Sequence, residues 1–253
     1  MFSLLKKPRR SRKPLPPPVE RLLDVAGRAM PLTIRQNRQA TRITLRIEPG
    51  GRALKMTIPA GLAVREVEAF LHRHHGWLAA KLARFPEETG LRPGATVPLR
   101  GVPHRIVHTG KLRGLTEALV EDGEAVIRIS GMQEHLGRRL QDFLKKEARR
   151  DLEMLVKRHA ATIRKPYAAI AMKDTRSRWG SCSHAGSLSF SWRIVMAPPS
   201  VIDYLAAHEV AHLKEMNHGP QFWALCRSLC PHMDEAKDWL KRHGSMLHAI
   251  DFA

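Results

Sequence analysis

The chain has 253 residues, 43% of them hydrophobic, with a formal net charge of +19. That size admits one large domain or a core domain with a subdomain, and the basic excess is either a solvated face or a surface for an acidic partner such as nucleic acid or another polyanion. Three cysteines exclude a disulfide framework and fit the cytoplasm, and the absence of a run of about 18 apolar residues excludes a membrane span.

Residues 1–30 are expected to form a basic, Pro-rich disordered arm. The start, MFSLLKKPRR, lacks the cations-first order of a secretory signal, and Pro14 and Pro16 to Pro18 oppose the amphipathic helix of a transit peptide. Residues 31–130 then read as a β-rich N-terminal subdomain crossed by one helix. Ile43, Leu45 and Ile47 alternate with Arg42, Thr44 and Arg46; after EPGG, Leu54, Met56 and Ile58 alternate with Lys55 and Thr57. This predicts a β-hairpin with one apolar and one cationic face. A helix is expected over 63–84 from Val64, Val67, Leu71, Leu78 and Leu82 at helical spacing, with Phe70 and Trp77 alongside. HRHH at 72–75 lies on it as surface histidines, since no carboxylate or thiolate clusters with them. Asp122-Gly123 marks a second hairpin. No internal repeat is evident in the sequence.

Residues 131–253 read as the second domain. A long helix is predicted over 132–161, YAAIAM (167–172) as a strand, and SLSFSWRIV (187–195) as another strand with Leu188, Phe190, Trp192 and Ile194 on one face. The loop DTRSRWGSCSHAG separates these strands. After Pro198-Pro199 a helix is expected, with Ser200 as its N-cap.

That helix carries HEVAH. His208 and His212 are four residues apart, so their side chains project from one side, one turn apart. Two imidazoles so placed can each reach one zinc ion at about 2 Å. Glu209 is offset by about 100° and suits a group that touches metal-bound water. A catalytic zinc needs a third protein ligand. Glu215, His218, His232, Asp234, Glu235 and the cysteines are candidates. His218 is favoured because Asn217 tolerates the left-handed conformation that ends helices, and Gly219-Pro220 blocks simple continuation. Glu215 is the runner-up. QFWALCRSLC predicts a bracing helix with Phe222, Leu225, Cys226 and Leu229 inward. Cys226 and Cys230 read as buried thiols, because a structural zinc on them would need partners that the sequence does not present.

HEVAHLKEMNHGPQFW, with TRSRWGSCS and SLSFSWRIVMAPP, resembles the YgjP-like metallopeptidase family, which is related to SprT-like zinc proteases. The resemblance covers roughly residues 30–245 and is strongest over 174–224. It implies His208, His212 and His218 as zinc ligands and Glu209 as the catalytic base. The implied fold is α+β: a zincin-like catalytic half, its active-site helix on a small antiparallel sheet, preceded by a β-rich part.

The expected function is a zinc-dependent metallopeptidase, with one Zn2+ per chain, in which Glu209 assists attack of zinc-bound water on a peptide or protein substrate. Arg176, Arg178 and Ser181, on the loop before the last strand, are candidate substrate or oxyanion contacts, and Trp179 is a packing anchor. If SLSFSWRIV is a sheet edge, an extended peptide could pair with it. The rival classes are a metal-dependent phosphohydrolase acting on nucleotides and a DNA-associated protease or binding protein.

Overall fold

The computed structural model describes residues 14–85 and 90–252; residues 1–13 of the expected arm lie outside that range. The chain divides into two compact units, Met1–Arg84 and Phe85–Ala253. Among the described residues it is a mixed α+β protein with three small sheets and five α-helices.

In the first unit, strand β1 (Val19–Val25) turns through Ala26 and Gly27 into antiparallel β2 (Arg28–Asn37). Both turn residues have positive φ, 55° and 82°, the backbone of a tight primed hairpin. Paired strand thus begins at Val19, inside the stretch expected as an arm. Val25, Met30 and Leu32 supply the burial that keeps it there. Strands β3 (Thr44–Ile47) and β4 (Leu54–Pro59) form the predicted hairpin, Leu45 opposite Met56 and Ile47 opposite Leu54. Leu54, Met56 and Ile58 are buried, while Arg42, Thr44, Arg46, Lys55 and Thr57 line an open recess. Helix α1 (Val64–Leu82) buries Val67, Leu71, Leu78 and Leu82, and leaves Val64 and Trp77 exposed. In HRHH, His72, Arg73 and His75 are exposed, and His74 rests on Phe70 with ring centroids 4.2 Å apart.

The second unit opens with β5 (Thr96–Leu99), β6 (Val102–His108), β7 (Thr116–Glu121) and β8 (Glu124–Ile129). These strands, expected with the N-terminal subdomain, belong instead with the C-terminal helices. Arg100, in the β5–β6 turn, explains why. Its guanidinium donates to Asp151 at 2.7 and 2.8 Å and to Glu147 at 2.7 Å, and its backbone N–H donates to the Val195 carbonyl at 2.7 Å. Asp151 and Glu147 lie on α2 (Leu136–Ile163), whose Leu140, Leu144, Leu152 and Val156 enter the main core.

The two four-stranded sheets share one topology. Each runs first, second, fourth, third, with antiparallel outer pairs and a parallel central pair. Each first hairpin turns on two positive-φ residues ending in glycine, Ala26-Gly27 and Arg100-Gly101, and each sheet is followed by a helix. The chain therefore contains a structural repeat with no sequence repeat to announce it.

The third sheet has the order β10-β11-β9, from β9 (Ala169–Lys173), β10 (Gly180–Cys182) and β11 (Ser187–Ser191). β11 pairs antiparallel with β10 and parallel with β9. SLSFSWRIV is thus only half strand: Trp192–Met196 form a buried 3-10 turn. Arg193, in that turn, is buried. It grips Asp174 at 2.7 and 3.3 Å and the carbonyls of Leu247 and Ile250 at 3.1 and 3.0 Å. Helices α3 (Pro199–Ala211), α4 (Pro220–Leu229) and α5 (Met233–Leu247) complete the unit. No helix of the described residues is long and apolar enough to cross a membrane.

Candidate metal centre

Helix α3 starts at Pro199, two residues before the Val201 start that a Ser200 cap would set, with proline at N1 where its missing N–H costs nothing. Val201, Ile202, Leu205, Ala206 and Val210 bury most of the helix. The helix stops at Ala211, with His212 as its cap residue. Asn217 is not among the positive-φ residues, so no left-handed asparagine closes it. Instead Leu213 and Lys214 tighten the last turn, donating to the Val210 and Ala211 carbonyls, both at 3.0 Å. The chain then returns His218 beside the helix.

The three imidazoles converge. Ligand nitrogens of His208, His212 and His218 lie within 4.8 Å of one another, and His208 Nε2 and His218 Nε2 are 3.1 Å apart. His212 Nδ1–H donates to the Glu215 carbonyl at 3.0 Å, which leaves Nε2 as its lone-pair nitrogen. His208 Nδ1 is 3.3 Å from the Tyr204 hydroxyl, which can accept from an Nδ1–H and then leaves Nε2 as the lone-pair nitrogen. Glu215 thus acts here through its backbone carbonyl, behind His212. Buried Phe222 touches all three rings, at centroid distances of 5.0, 4.5 and 4.7 Å, and Trp223 stacks on His218 at 5.4 Å.

These residues fit a divalent ion. Two nitrogens on a tetrahedral zinc at 2.0–2.1 Å stand about 3.3 Å apart, close to the observed His208–His218 separation. Burial first, then His212 and His218, pushes His208 down to about 3, and burial also lowers His212. Both imidazoles are therefore neutral, the form that ligates metal.

Glu209 is 3% exposed, and its Oε2 has no hydrogen-bond partner. Burial pushes its carboxyl up to about 8, opposed by Arg178. It faces β10, where Gly180 has no side chain to displace it: an added Cβ would lie 2.7 Å from both Glu209 Cγ and Cδ. Gly180 was not legible as a site residue, although its place in TRSRWGSCS, between a bulky tryptophan and a short strand, carries that signal.

The loop residues separate. Arg176 and Arg178 are both exposed; Arg178 acts electrostatically on Glu209, whereas Arg176 acts on Asp174 and His248. Ser181 follows Gly180 in β10, opposite Ser189. Trp179 stacks on His248 with centroids 4.7 Å apart and abuts Gly244, as a packing anchor would. β11 lies between β10 and β9 and is no sheet edge, so a peptide cannot add to it; the edge beside Glu209 is β10.

No curated protein sequence matches the chain. Two solved structures are similar over part of it. One is the metallopeptidase zymogen of Pyrococcus abyssi abylysin, 19% identical, with a TM-score of 0.32, covering 36% of this chain and 90% of that one. The other is the metallopeptidase zymogen of Methanocaldococcus jannaschii jannalysin, 19% identical, with a TM-score of 0.33, covering 36% and 94%. The family model described as YgjP-like, metallopeptidase domain, matches residues 41–243, and the chain belongs to that family.

Proposed function

We propose that the protein is a zinc-dependent metallopeptidase with a zincin-like catalytic half, in which His208, His212 and His218 hold one zinc ion and Glu209 is the base. The observation that carries this reading is the convergence of three imidazoles beside a buried carboxyl whose Oε2 has no partner. When bound, the ion supplies a Lewis acid that acidifies water and polarises a carbonyl.

The rest falls to the chain's own groups. Glu209 takes a proton from water at its carboxylate as the peptide carbonyl is attacked, then returns it to the leaving amine. Burial, which raises the carboxyl, favours its holding the proton between the two steps. Tyr204 and the Glu215 carbonyl fix two imidazoles from behind. An extended peptide can pair with the open side of β10, which would place its carbonyls beside Glu209. Arg178 is the better placed of the two loop arginines to meet substrate, since its charge reaches Glu209.

The test is to incubate zinc-loaded protein with a mixed peptide library and with nucleoside triphosphates, following both by mass spectrometry. Peptide cleavage that disappears in Glu209→Gln is the expected result. Nucleotide hydrolysis without peptide cleavage would overturn the reading in favour of a phosphohydrolase. A polyanion surface is a separate proposal, resting on the recess that holds Arg42, Arg46 and Lys55. It requires DNA affinity that falls steeply with salt, and no binding at low salt removes it.

A further inference from the structure

We propose that Asp203, Cys230 and His232 form a second metal site, for one divalent ion of the zinc class, which clamps the start of α3 to the junction of α4 and α5. Asp203 lies in the second turn of α3, Cys230 caps the end of α4, and His232 precedes α5. Their ligand atoms all lie within 4.8 Å of one another.

The environment of His232 Nε2 is the key observation. Cys230 Sγ is 3.3 Å away, the Ser200 carbonyl oxygen 3.3 Å and Asp203 Oδ2 3.6 Å. The Cys230 thiol has a proton of its own to donate, so the telling feature is the donor set itself: an imidazole nitrogen, a sulfur and a carboxylate oxygen face one another, as ligands gathered about a cation do. Ligands on a tetrahedral zinc, at about 2.0–2.1 Å for N or O and about 2.3 Å for S, stand roughly 3.3–3.6 Å apart, which matches these separations.

The carboxylate is also prepared. Its Oδ1 accepts from Arg158 and, at 2.7 Å, from the buried His159 ring, both on α2. Oδ2 is left facing His232. Outer hydrogen bonds of this kind commonly orient metal-ligating carboxylates. Binding forms the S–metal bond and releases the thiol proton to solvent. A thiolate, an imidazole and a carboxylate select zinc-like ions over magnesium or calcium.

This site is distinct from the histidine trio. Asp203 precedes His208 by five residues, which puts it about 7.5 Å back along α3 and roughly 140° around it. The clamp joins α3, which carries His208 and is capped by His212, to α4, which carries Phe222 against their rings. It also supplies partners for Cys230 that lie 27 residues upstream and two residues downstream of it.

Cobalt(II) titration of the metal-free protein tests the proposal. We expect two equivalents to bind and a near-ultraviolet thiolate-to-cobalt charge-transfer band to appear, which three imidazoles alone cannot give. Cys230→Ser should abolish the band and one equivalent. Cys182→Ser, Cys226→Ser and His218→Ala should keep the band. His232→Gln, at a half-exposed ring, should weaken binding at least tenfold. Saturation of the wild-type protein without a thiolate band, or a band that survives Cys230→Ser, would overturn the site. If Cys230→Ser fails to fold, weaker binding in His232→Gln with the band kept in Cys182→Ser and Cys226→Ser decides the matter.

Discussion

Gly180 and Glu209 are in van der Waals opposition: the glycine backbone on β10 fills the space where a side chain would strike the glutamate carboxyl. A β-carbon at 180 must push Glu209 from its position, since both Cγ and Cδ would lie 2.7 Å away. Gly180→Ala should therefore lower kcat by about 10²-fold, the order of loss that a misplacement near 1 Å produces. Metal content should not change. Steady-state kinetics beside elemental analysis would show this, and an alanine variant with unchanged kcat would disprove the relationship.

The raised pKa of Glu209 has a consequence for stability. In the unfolded chain a glutamate titrates near 4.3, while in the folded metal-free protein burial moves Glu209 to about 8. The folded state therefore holds that proton more tightly. Its stabilising contribution is complete below the unfolded value and is lost as pH rises through the folded one. The slope from this group is at most about 1.4 kcal/mol per pH unit. Glu209→Gln should remove that slope, which denaturant unfolding of chelator-treated protein from about pH 5 to 9 would reveal. Parallel curves for the two proteins would contradict it.

Phe222 supports all three imidazoles and is fully buried. Phe222→Ala should cost about 3–5 kcal/mol of stability through the lost ring and the cavity left behind. The milder Phe222→Leu should keep the fold yet loosen the rings, with metal affinity falling about 10-fold or more. Competition with a chromogenic chelator measures that affinity.

His218 is the exposed member of the trio, on the segment after the helix. His218→Ala should abolish stoichiometric zinc at the trio, counted in a Cys230→Ser background so that the second set of donors is silent. Full zinc occupancy in that double variant would rule His218 out as a ligand.

How far the sequence carries can be seen residue by residue. The β3–β4 hairpin was legible because Leu45, Ile47, Leu54 and Met56 alternate about a glycine turn, and alternation determines the buried face. His208 and His212 were legible because helical spacing alone sets their common side. His218 followed from the helix stop, although an early end at Ala211 accomplishes it and no left-handed Asn217 is involved. The repeated sheet was hidden because a parallel pairing such as β6 with β8 joins segments whose contact no local pattern encodes. The end of β11 at Ser191 was hidden because Trp192, Ile194 and Met196 are buried in a 3-10 turn as completely as in a strand. Asp203 and His232 gave no sign of meeting Cys230, since three helices must pack before their donors approach.

The peptidase reading stands or falls on Glu209. The direct measurement is peptide hydrolysis by Glu209→Gln with bound zinc quantified in the same sample. The amide keeps the shape of the side chain but cannot accept a proton from water. Hydrolysis should fall by at least about 10³-fold, within the range that a general base contributes, while zinc remains bound as in the wild-type protein. Retention of the wild-type rate with zinc in place would contradict the role given to Glu209.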